Sequence, residues 1–225
     1  MKMIKQTEFK VSQHLLEMSV SRANNFDNMK TSLNKPTGDF FYDPWVIKKE
    51  FKDTIWEEIL STLKIEHGEA RVIVLKNGTN YQSHADIDDR YHLTIQSNQS
   101  YLINLENKEM FELLTDGKWY EMDAGLIHSA ANFGEIDRIQ IVVRKLLKRN
   151  RIKNSVSVSI IPAGKLPRYY FDNTISPILN KLSKSSFLNN FKLVDNVVTF
   201  ELDESKVNKI QNVIPKEFML DIKSI

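Results

Sequence analysis

The chain has 225 residues, 41% hydrophobic and 27% charged, and its 31 basic and 29 acidic side chains leave a formal net charge of +2. That length fits one domain, or one domain with a small appendage, and is enough to bury a substantial core. The near-neutral balance gives no whole-chain electrostatic footprint for nucleic acid, the lack of cysteine excludes disulfides, thiolate metal sites and a cysteine nucleophile, and no apolar run approaches a membrane span.

The opening residues alternate charged with apolar side chains, so no secretory h-region is expected and a soluble, cytoplasmic protein is the default expectation. Up to about Asp43 the chain reads as irregular and partly helical, with a short helix over 11–18 and a turn at Lys35-Pro36-Thr37-Gly38. The aromatic group Phe40, Phe41, Tyr42 and Trp45 has no clean period. It reads as loop packed on the body of the domain, and as the local candidate for a lid. Over 48–63, Phe51, Ile55, Trp56, Ile59, Leu60 and Leu63 recur at helical steps, which predicts one amphipathic helix ended near Gly68.

After Gly68 the period becomes two. Strands are expected over 70–75, 92–96, 101–105, 110–114, 119–122 and 139–143, rich in β-branched and aromatic residues. Asn77-Gly78 and Asp116-Gly117 are turn dipeptides, and the second predicts a tight hairpin. Many short strands with frequent turns predict a mainly β domain with flanking helices: a double-stranded β-helix, or cupin-like jelly roll, over residues 1–150. The basic run Lys145, Lys148, Arg149, Arg151 and Lys153 reads as a solvated face. Residues 151–225 read as a small α+β extension, with strands over 155–161 and 197–202 and helices over 175–182 and 205–213.

The chemistry gathers at His84-Ala85-Asp86 and His128. In extended backbone, residues i and i+2 share a side, so His84 and Asp86 can meet one ion. His128 on a neighbouring strand completes a set of two histidines and one carboxylate. Such a set leaves three octahedral positions open, which suits iron(II) binding an oxoacid and dioxygen together. Arg138 follows His128 across an apparent turn at Asn132-Phe133-Gly134-Glu135. A returning strand would bring it beside the metal cavity. There a buried guanidinium needs an anion, and its planar fork matches a carboxylate. Asp88 and Asp89 read as more of the ligand loop, Trp119 as core or lip packing, and His14 and His67 as residues without chemical roles.

From about Gly68 to Arg144 the chain resembles the aspartyl/asparaginyl β-hydroxylase branch of the 2-oxoglutarate- and iron(II)-dependent oxygenases, which includes free-proline hydroxylases. The residues that carry the likeness are Gly78, His84-Ala85-Asp86, Arg90-Tyr91-His92-Leu93, Gly117-Lys118-Trp119, Asp123, His128, Asn132 and Arg138. The resemblance implies that His84, Asp86 and His128 hold iron, and that Arg138 binds 2-oxoglutarate. It also implies that His92 and Arg90 contact the co-substrate carboxylates. Several members have glycine at the Asp86 position; this chain carries the full triad. It departs from the family near Ile73, where a co-substrate hydroxyl is expected. The implied reaction is hydroxylation of an unactivated C–H bond, with dioxygen as oxidant and ascorbate as a stimulant. The implied substrate is an amino acid such as proline, a peptidyl Asp or Asn, or a lipid acyl chain. No membrane or nucleic-acid partner is expected. Two rival readings stay open: a cupin-like isomerase or oxoacid-independent dioxygenase with the same metal ligands, and a metal-free jelly-roll binding module.

Overall fold

The computed structural model describes residues 2–26, 29–148, 154–162, 176–183, 187–194, 197–216 and 218–225. The chain divides into two compact units, Met1–Gly38 with Tyr42–Leu147, and Asp39–Phe41 with Lys148–Ile225. Among the described residues no helix is long and apolar enough to cross a membrane.

The first unit is built on two antiparallel sheets. Its strands are β1 (Ile4–Lys10), β2 (Lys30–Ser32), β3 (Asn34–Pro36), β4 (Trp45–Ile47), β5 (His67–Leu75), β6 (Thr79–Asn80), β7 (Arg90–Gln96), β8 (Ser100–Asn104), β9 (Glu109–Glu112), β10 (Lys118–Met122), β11 (His128–Asn132) and β12 (Arg138–Lys145). Six of them form a sheet in the order β1-β10-β7-β12-β5-β2; four form a second in the order β6-β11-β8-β9; β3 and β4 pair as a separate hairpin. The mainly β expectation therefore holds.

Two helices cover one face of the larger sheet. Helix α1 (Gln13–Ala23) begins at Ser12, whose hydroxyl accepts from the Leu15 N–H. The single helix expected over 48–63 is broken in two. Lys49–Phe51 makes one 3₁₀ turn, Asp53 takes a left-handed φ of 56°, and α2 runs only over Ile55–Ser61. Thr54 caps it by accepting from Trp56 N–H, and Glu57 reaches back to the Asp53 N–H. These caps satisfy the orphan donors of the first turn and fix the start where periodicity alone sees no break. Leu15, Leu16, Trp56, Ile59, Leu60 and Leu63 then pack on Tyr91, Leu93, Ile95, Ile139, Ile141 and Val143 of β7 and β12. Trp119 lies wholly within this core, its indole N–H donating to Thr62, so it is packing rather than a substrate platform.

The Asp116-Gly117 hairpin is not formed. β9 pairs with β8 in the smaller sheet, while β10 pairs with β1 and β7 in the larger. Asp116-Gly117 instead carries the chain from one sheet to the other. Gly117 has φ +73°, and a Cβ there would stand 2.5 Å from the Val11 carbonyl oxygen. Only glycine fits that crossing. Trp45 is in β4 rather than in loop. Strands β1, β2, β3, β4 and β6 were not expected from periodicity; all but β1 are two or three residues long, too short to show a period.

The second unit is α+β. Strands β13 (Ser155–Pro162), β14 (Asn189–Val194), β15 (Val197–Asp203) and β16 (Phe218–Ser224) form one antiparallel sheet in the order β14-β15-β13-β16. Helices α3 (Ser176–Ser183) and α4 (Val207–Val213) accompany it. Val156, Val158 and Ile160 alternate into its core with Val198, Phe200 and Leu202, the period-two pattern of a one-sided sheet. Phe41 is buried in this unit against Phe187, with ring centroids 5.9 Å apart. Arg149, Arg151 and Lys153 of the basic run lie outside the described residues. Lys145, at its start, pairs with Glu121.

Candidate metal and anion site

The sequence of β7, Arg90-Tyr91-His92-Leu93-Thr94-Ile95-Gln96, alternates polar with apolar. That pattern ordinarily marks a strand with one face in water. Here residues 90–95 are all buried. Tyr91, Leu93 and Ile95 enter the helix-covered core, so Arg90, His92 and Thr94 must bury on the other face. β12 repeats the device. Arg138, Gln140 and Arg144 share one face, and in register Gln140 stands opposite Thr94, Val142 opposite His92 and Arg144 opposite Arg90. The result is a buried polar face on the larger sheet.

A cleft opens over that face. It encloses about 480 Å³, counting its mouth, and includes Arg138, Arg90, His92, Tyr81, Ile73 and the residues of the histidine pair in its lining. Leu102 and Ala130 of the smaller sheet face Met122 of the larger across a shared apolar cluster at its side.

His84 and His128 face each other in an isolated antiparallel bridge, with both backbone N–H···O distances 2.9 Å and ring centroids 4.5 Å apart. Each ring is oriented in the same way. The Nδ1 of His84 lies 2.9 Å from the Gln82 carbonyl oxygen, and that of His128 lies 2.7 Å from the Leu126 carbonyl oxygen. A carbonyl can only accept, so Nδ1 carries the proton and Nε2 presents a lone pair. This is the tautomer a metal-binding histidine needs, fixed by the bond its other nitrogen makes. Asp86 is brought in by its own N–H, which donates to the Ala124 carbonyl at 2.7 Å. Donor atoms of His84, Asp86 and His128 all lie within 4.8 Å of one another. Burial holds the His128 imidazole below its ordinary pKa, a second reason for a neutral, lone-pair-bearing ring.

Arg138 enters the cleft from the start of β12. The turn before it is clamped by Asn132, whose amide donates to the carbonyls of Leu75 and Ile136. β11 and β12 belong to different sheets, so the return expected after His128 crosses the cleft instead of making a hairpin. Arg138 is 2% exposed. It has Tyr81 beside it, with its guanidinium carbon 5.8 Å from the ring centroid, and Ser100 Oγ 3.5 Å from one terminal nitrogen. Its Nε finds no hydrogen-bond partner, and no carboxylate pairs with it among the described residues. Burial pushes its pKa down to about 10, with Tyr81 acting against the fall. The group is still a cation at neutral pH.

His92 is 7% exposed, and neither ring nitrogen has a partner among the described residues. Burial, then repulsion from Arg138 and Arg90, pushes it down to about 3. It is a neutral imidazole with a donor to offer. Arg90 differs from Arg138 in being paired twice. Its terminal nitrogen lies 2.8 Å from Asp86 Oδ1 and its Nε 3.1 Å from Asp88 Oδ2. The Nε contact is an ion pair whose geometry falls short of a hydrogen bond. Burial pushes Arg90 down, but Asp88 and Asp86 more than offset it.

Residues 51–146 match the family described as aspartyl/asparaginyl beta-hydroxylase. The likeness read from the motif residues therefore stands, over a slightly longer segment. No curated protein matches the chain. The match speaks for a hydroxylase-like activity, and the His84–Asp86–His128 cluster for a metal.

Three features of the site escaped the sequence reading. Tyr81 and Ser100 place hydroxyls beside Arg138 although neither stands in a recognised motif. Ile73 does line the cleft, and the hydroxyls near Arg138 come instead from Ser100 at the start of β8 and from Tyr81, the residue after β6. Asp88, read as ordinary loop, is instead 1% exposed and bridges Arg90 to Arg144. Its signal was available in the paired arginines of β7 and β12, since two buried like charges in register demand an anion between them.

Proposed function

We propose that this chain is an iron(II)- and 2-oxoglutarate-dependent hydroxylase. His84, Asp86 and His128 would hold the metal, and the two sheets of the first unit would be the halves of a double-stranded β-helix. The observation that carries the reading is the pairing of two unlike sites in one cleft. Two histidines with Nδ1 tied down and Nε2 free converge with a carboxylate, beside a buried arginine that lacks an anion. The fit to the metal is chemical. All three donors are nitrogen or oxygen, and three protein ligands leave room for an oxoacid and dioxygen.

When bound, iron(II) supplies dioxygen activation coupled to decarboxylation of 2-oxoglutarate to succinate, and insertion of oxygen into a substrate C–H bond. The chain's residues supply the rest. Arg138 binds the far carboxylate of the co-substrate with its fork, relieving a charge that is otherwise buried without a counter-ion. Tyr81 places its hydroxyl beside it, and Ser100, whose own proton goes to the Ala131 carbonyl, accepts from Arg138 and helps to hold the fork. His92 offers one N–H to a co-substrate carboxylate. It does not ligate metal, because a fourth protein donor would take a position the oxoacid needs. Ile73, Leu102, Met122 and Val142 line the cleft with apolar surface and limit access of water. The substrate we propose is an amino acid such as proline, or a peptidyl Asp or Asn.

A metal-dependent isomerase would share the histidines but has no use for Arg138, and a metal-free module has no use for paired Nδ1 anchors. Incubation with iron(II), ascorbate, 2-oxoglutarate and candidate substrates tests the proposal. Succinate should form, and the accepted substrate should gain the mass of one oxygen. Metal binding without oxoacid consumption, across amino-acid and peptide substrates, would overturn it.

A further inference from the structure

We propose that Arg71 binds a carboxylate of the primary substrate, so that the cleft takes two organic anions at once: the co-substrate at Arg138 and a carboxylate-bearing substrate at Arg71. The inference rests on the metal and co-substrate reading above and narrows its substrate class, since it admits a free amino acid or an aspartyl side chain and rejects an asparaginyl one.

The placement follows from β5. Its Ala70 and Val72 enter the helix-covered core, so Arg71 and Ile73 turn to the opposite face, and both line the cleft. Among the described residues three arginines line it, Arg71, Arg90 and Arg138, one from each of the neighbouring strands β5, β7 and β12. Arg90 lies against Asp86 and Asp88. Arg138 is assigned to the far carboxylate of the co-substrate. Arg71 is the third. Its Nε is buried and has no hydrogen-bond partner. Glu69, two residues back on the same side of the strand, has its carboxylate 3.7 Å from that nitrogen, and the two side chains are 18% and 26% exposed, glutamate first. An ion pair of that length and exposure contributes little and leaves the Nε donor unmet.

Arg71 and Arg138 serve different anions. In register Arg138 stands opposite Leu75 and Arg71 opposite Val142, so four residues separate them along the sheet, roughly 13 Å at the backbone. Val142 in turn stands opposite His92, which puts an apolar side chain on the cleft floor between Arg71 and the strand that carries Arg90 and His92. Tyr81 adjoins both arginines. Arg138 lies beside its ring, and Arg71 and Arg138 both act on its phenol, against the rise in pKa that burial imposes. Lys30, opposite Ile73 on β2, brings its Nζ to 5.4 Å from the centroid of the same ring. The β5 side of the cleft therefore holds positive charge beyond what one dianion at Arg138 meets. A carboxylate answers a guanidinium fork with two charged acceptors; an amide offers a single neutral one.

The test uses the full chain with manganese(II) in place of iron(II) and dioxygen excluded, so that nothing turns over, and follows binding by calorimetry. 2-Oxoglutarate is titrated first, into wild type, Arg71→Gln, Arg71→Lys and Arg138→Met. Both Arg71 variants should stay close to wild-type affinity while Arg138→Met loses it. A loss in Arg71→Gln as large as in Arg138→Met would place Arg71 in the co-substrate pocket and overturn the inference. With 2-oxoglutarate saturating, four probes follow: L-proline, prolinamide, N-acetyl-aspartyl amide and N-acetyl-asparaginyl amide. One acid should bind wild type, and its amide partner roughly 10- to 150-fold more weakly, the range for hydrogen bonds to a charged group. Proline over prolinamide identifies an α-carboxylate; the aspartyl over the asparaginyl compound identifies a side-chain one. Arg71→Gln should erase the preference and Arg71→Lys should restore part of it, because a point charge keeps the attraction without the fork. Equal binding of acid and amide by wild type, a preference that survives in Arg71→Gln, or no binding of any of the four would each overturn the inference. A wild-type chain that does not bind 2-oxoglutarate at all would bring down the co-substrate reading, and this inference with it.

Discussion

Replacing Arg138 by methionine should make the ligand-free protein more stable and the proposed enzyme nearly inactive. Arg138 is 2% exposed, and burial pushes its pKa well below the ordinary arginine value, down to about 10. A cation whose folded pKa lies below its unfolded one costs stability at every pH below the folded value. The shift corresponds to about 3 kcal/mol at about 1.4 kcal/mol per pH unit. Tyr81 and Ser100 recover part of this, and methionine adds apolar packing of similar length, so a net gain of about 1–3 kcal/mol is expected. For a chain of this size that raises the melting temperature by roughly 2–10 °C. The same substitution removes the anion partner, and a buried charge pair lost on one side costs about 2–5 kcal/mol of binding. The requirement for 2-oxoglutarate should rise roughly 30- to 5,000-fold. Thermal melts with and without 2-oxoglutarate read both effects. Wild type should gain about 2.7 kcal/mol at a hundred-fold excess over its Kd, and Arg138→Met about 0.9 kcal/mol or less at the same concentration. A variant that melts below wild type yet keeps its 2-oxoglutarate dependence would refute the reasoning and make Arg138 a structural residue.

His84→Ala and His128→Ala should each abolish iron(II) binding by calorimetry, while Asp86→Ala weakens it; wild-type affinity in the double histidine variant would mean the site is misplaced. His92→Gln should keep iron(II) but lose about 1.5–3 kcal/mol of 2-oxoglutarate affinity, the worth of a hydrogen bond to a charged group. The same residue sets a pH dependence. Its folded pKa of about 3 lies below its ordinary 6.5, so its neutral form is favoured by folding, and stability is full above about pH 6.5 and falls as pH drops from there toward about 3. Between about pH 7.5 and pH 4.5, wild type should lose up to about 3 kcal/mol more than His92→Gln in urea unfolding; equal losses would show that His92 is solvated. Asn132→Ala should lower stability by about 2–3 kcal/mol, since it leaves the carbonyl of Ile136 and that of Leu75 without a buried donor; a change under about 0.5 kcal/mol would mean the turn before Arg138 holds itself.

Much of this architecture was legible because it is periodic. β5, β7, β10 and β12 show the two-residue alternation that places them, and the helix that includes Trp56 and Ile59 shows its apolar stripe. What escaped has physical reasons. Periodicity cannot see a cap, so Asp53 and Thr54 were read through as helix. A turn dipeptide cannot say which strands it joins, because pairing is a long-range choice; Asp116-Gly117 became a crossover between sheets. The triad was legible because His84 and Asp86 lie two residues apart, a spacing that fixes a shared side. Tyr81, Ser100 and Asp88 were not, since their roles depend on which strands end up adjacent.

The same alternation also explains why the cleft lies where it does. A strand such as β7, polar at every second position, costs little if its polar face meets water. Covered instead, each of Arg90, His92 and Thr94 must find a partner inside or leave a donor unsatisfied, at about 1–3 kcal/mol for a neutral group and more for a charge. Some of those demands are met within the protein: Gln140 donates to Thr94, and Asp88 lies between Arg90 and Arg144. Arg138 Nε and both nitrogens of His92 are not met by any described residue. Among the described residues of the larger sheet, the unmet demands fall at Arg71 Nε of β5, at Arg90 Nε and His92 of β7 and at Arg138 Nε of β12, and all four residues line the cleft beside the converging lone pairs of His84 and His128. A fold that buries polar groups without partners persists only if something outside the chain completes them. The two kinds of incompleteness differ in chemistry: lone pairs at the histidines ask for a cation, and N–H groups at Arg138 and His92 ask for an anion. A small dianion chelating a metal at one end and meeting a guanidinium at the other answers both with a single molecule.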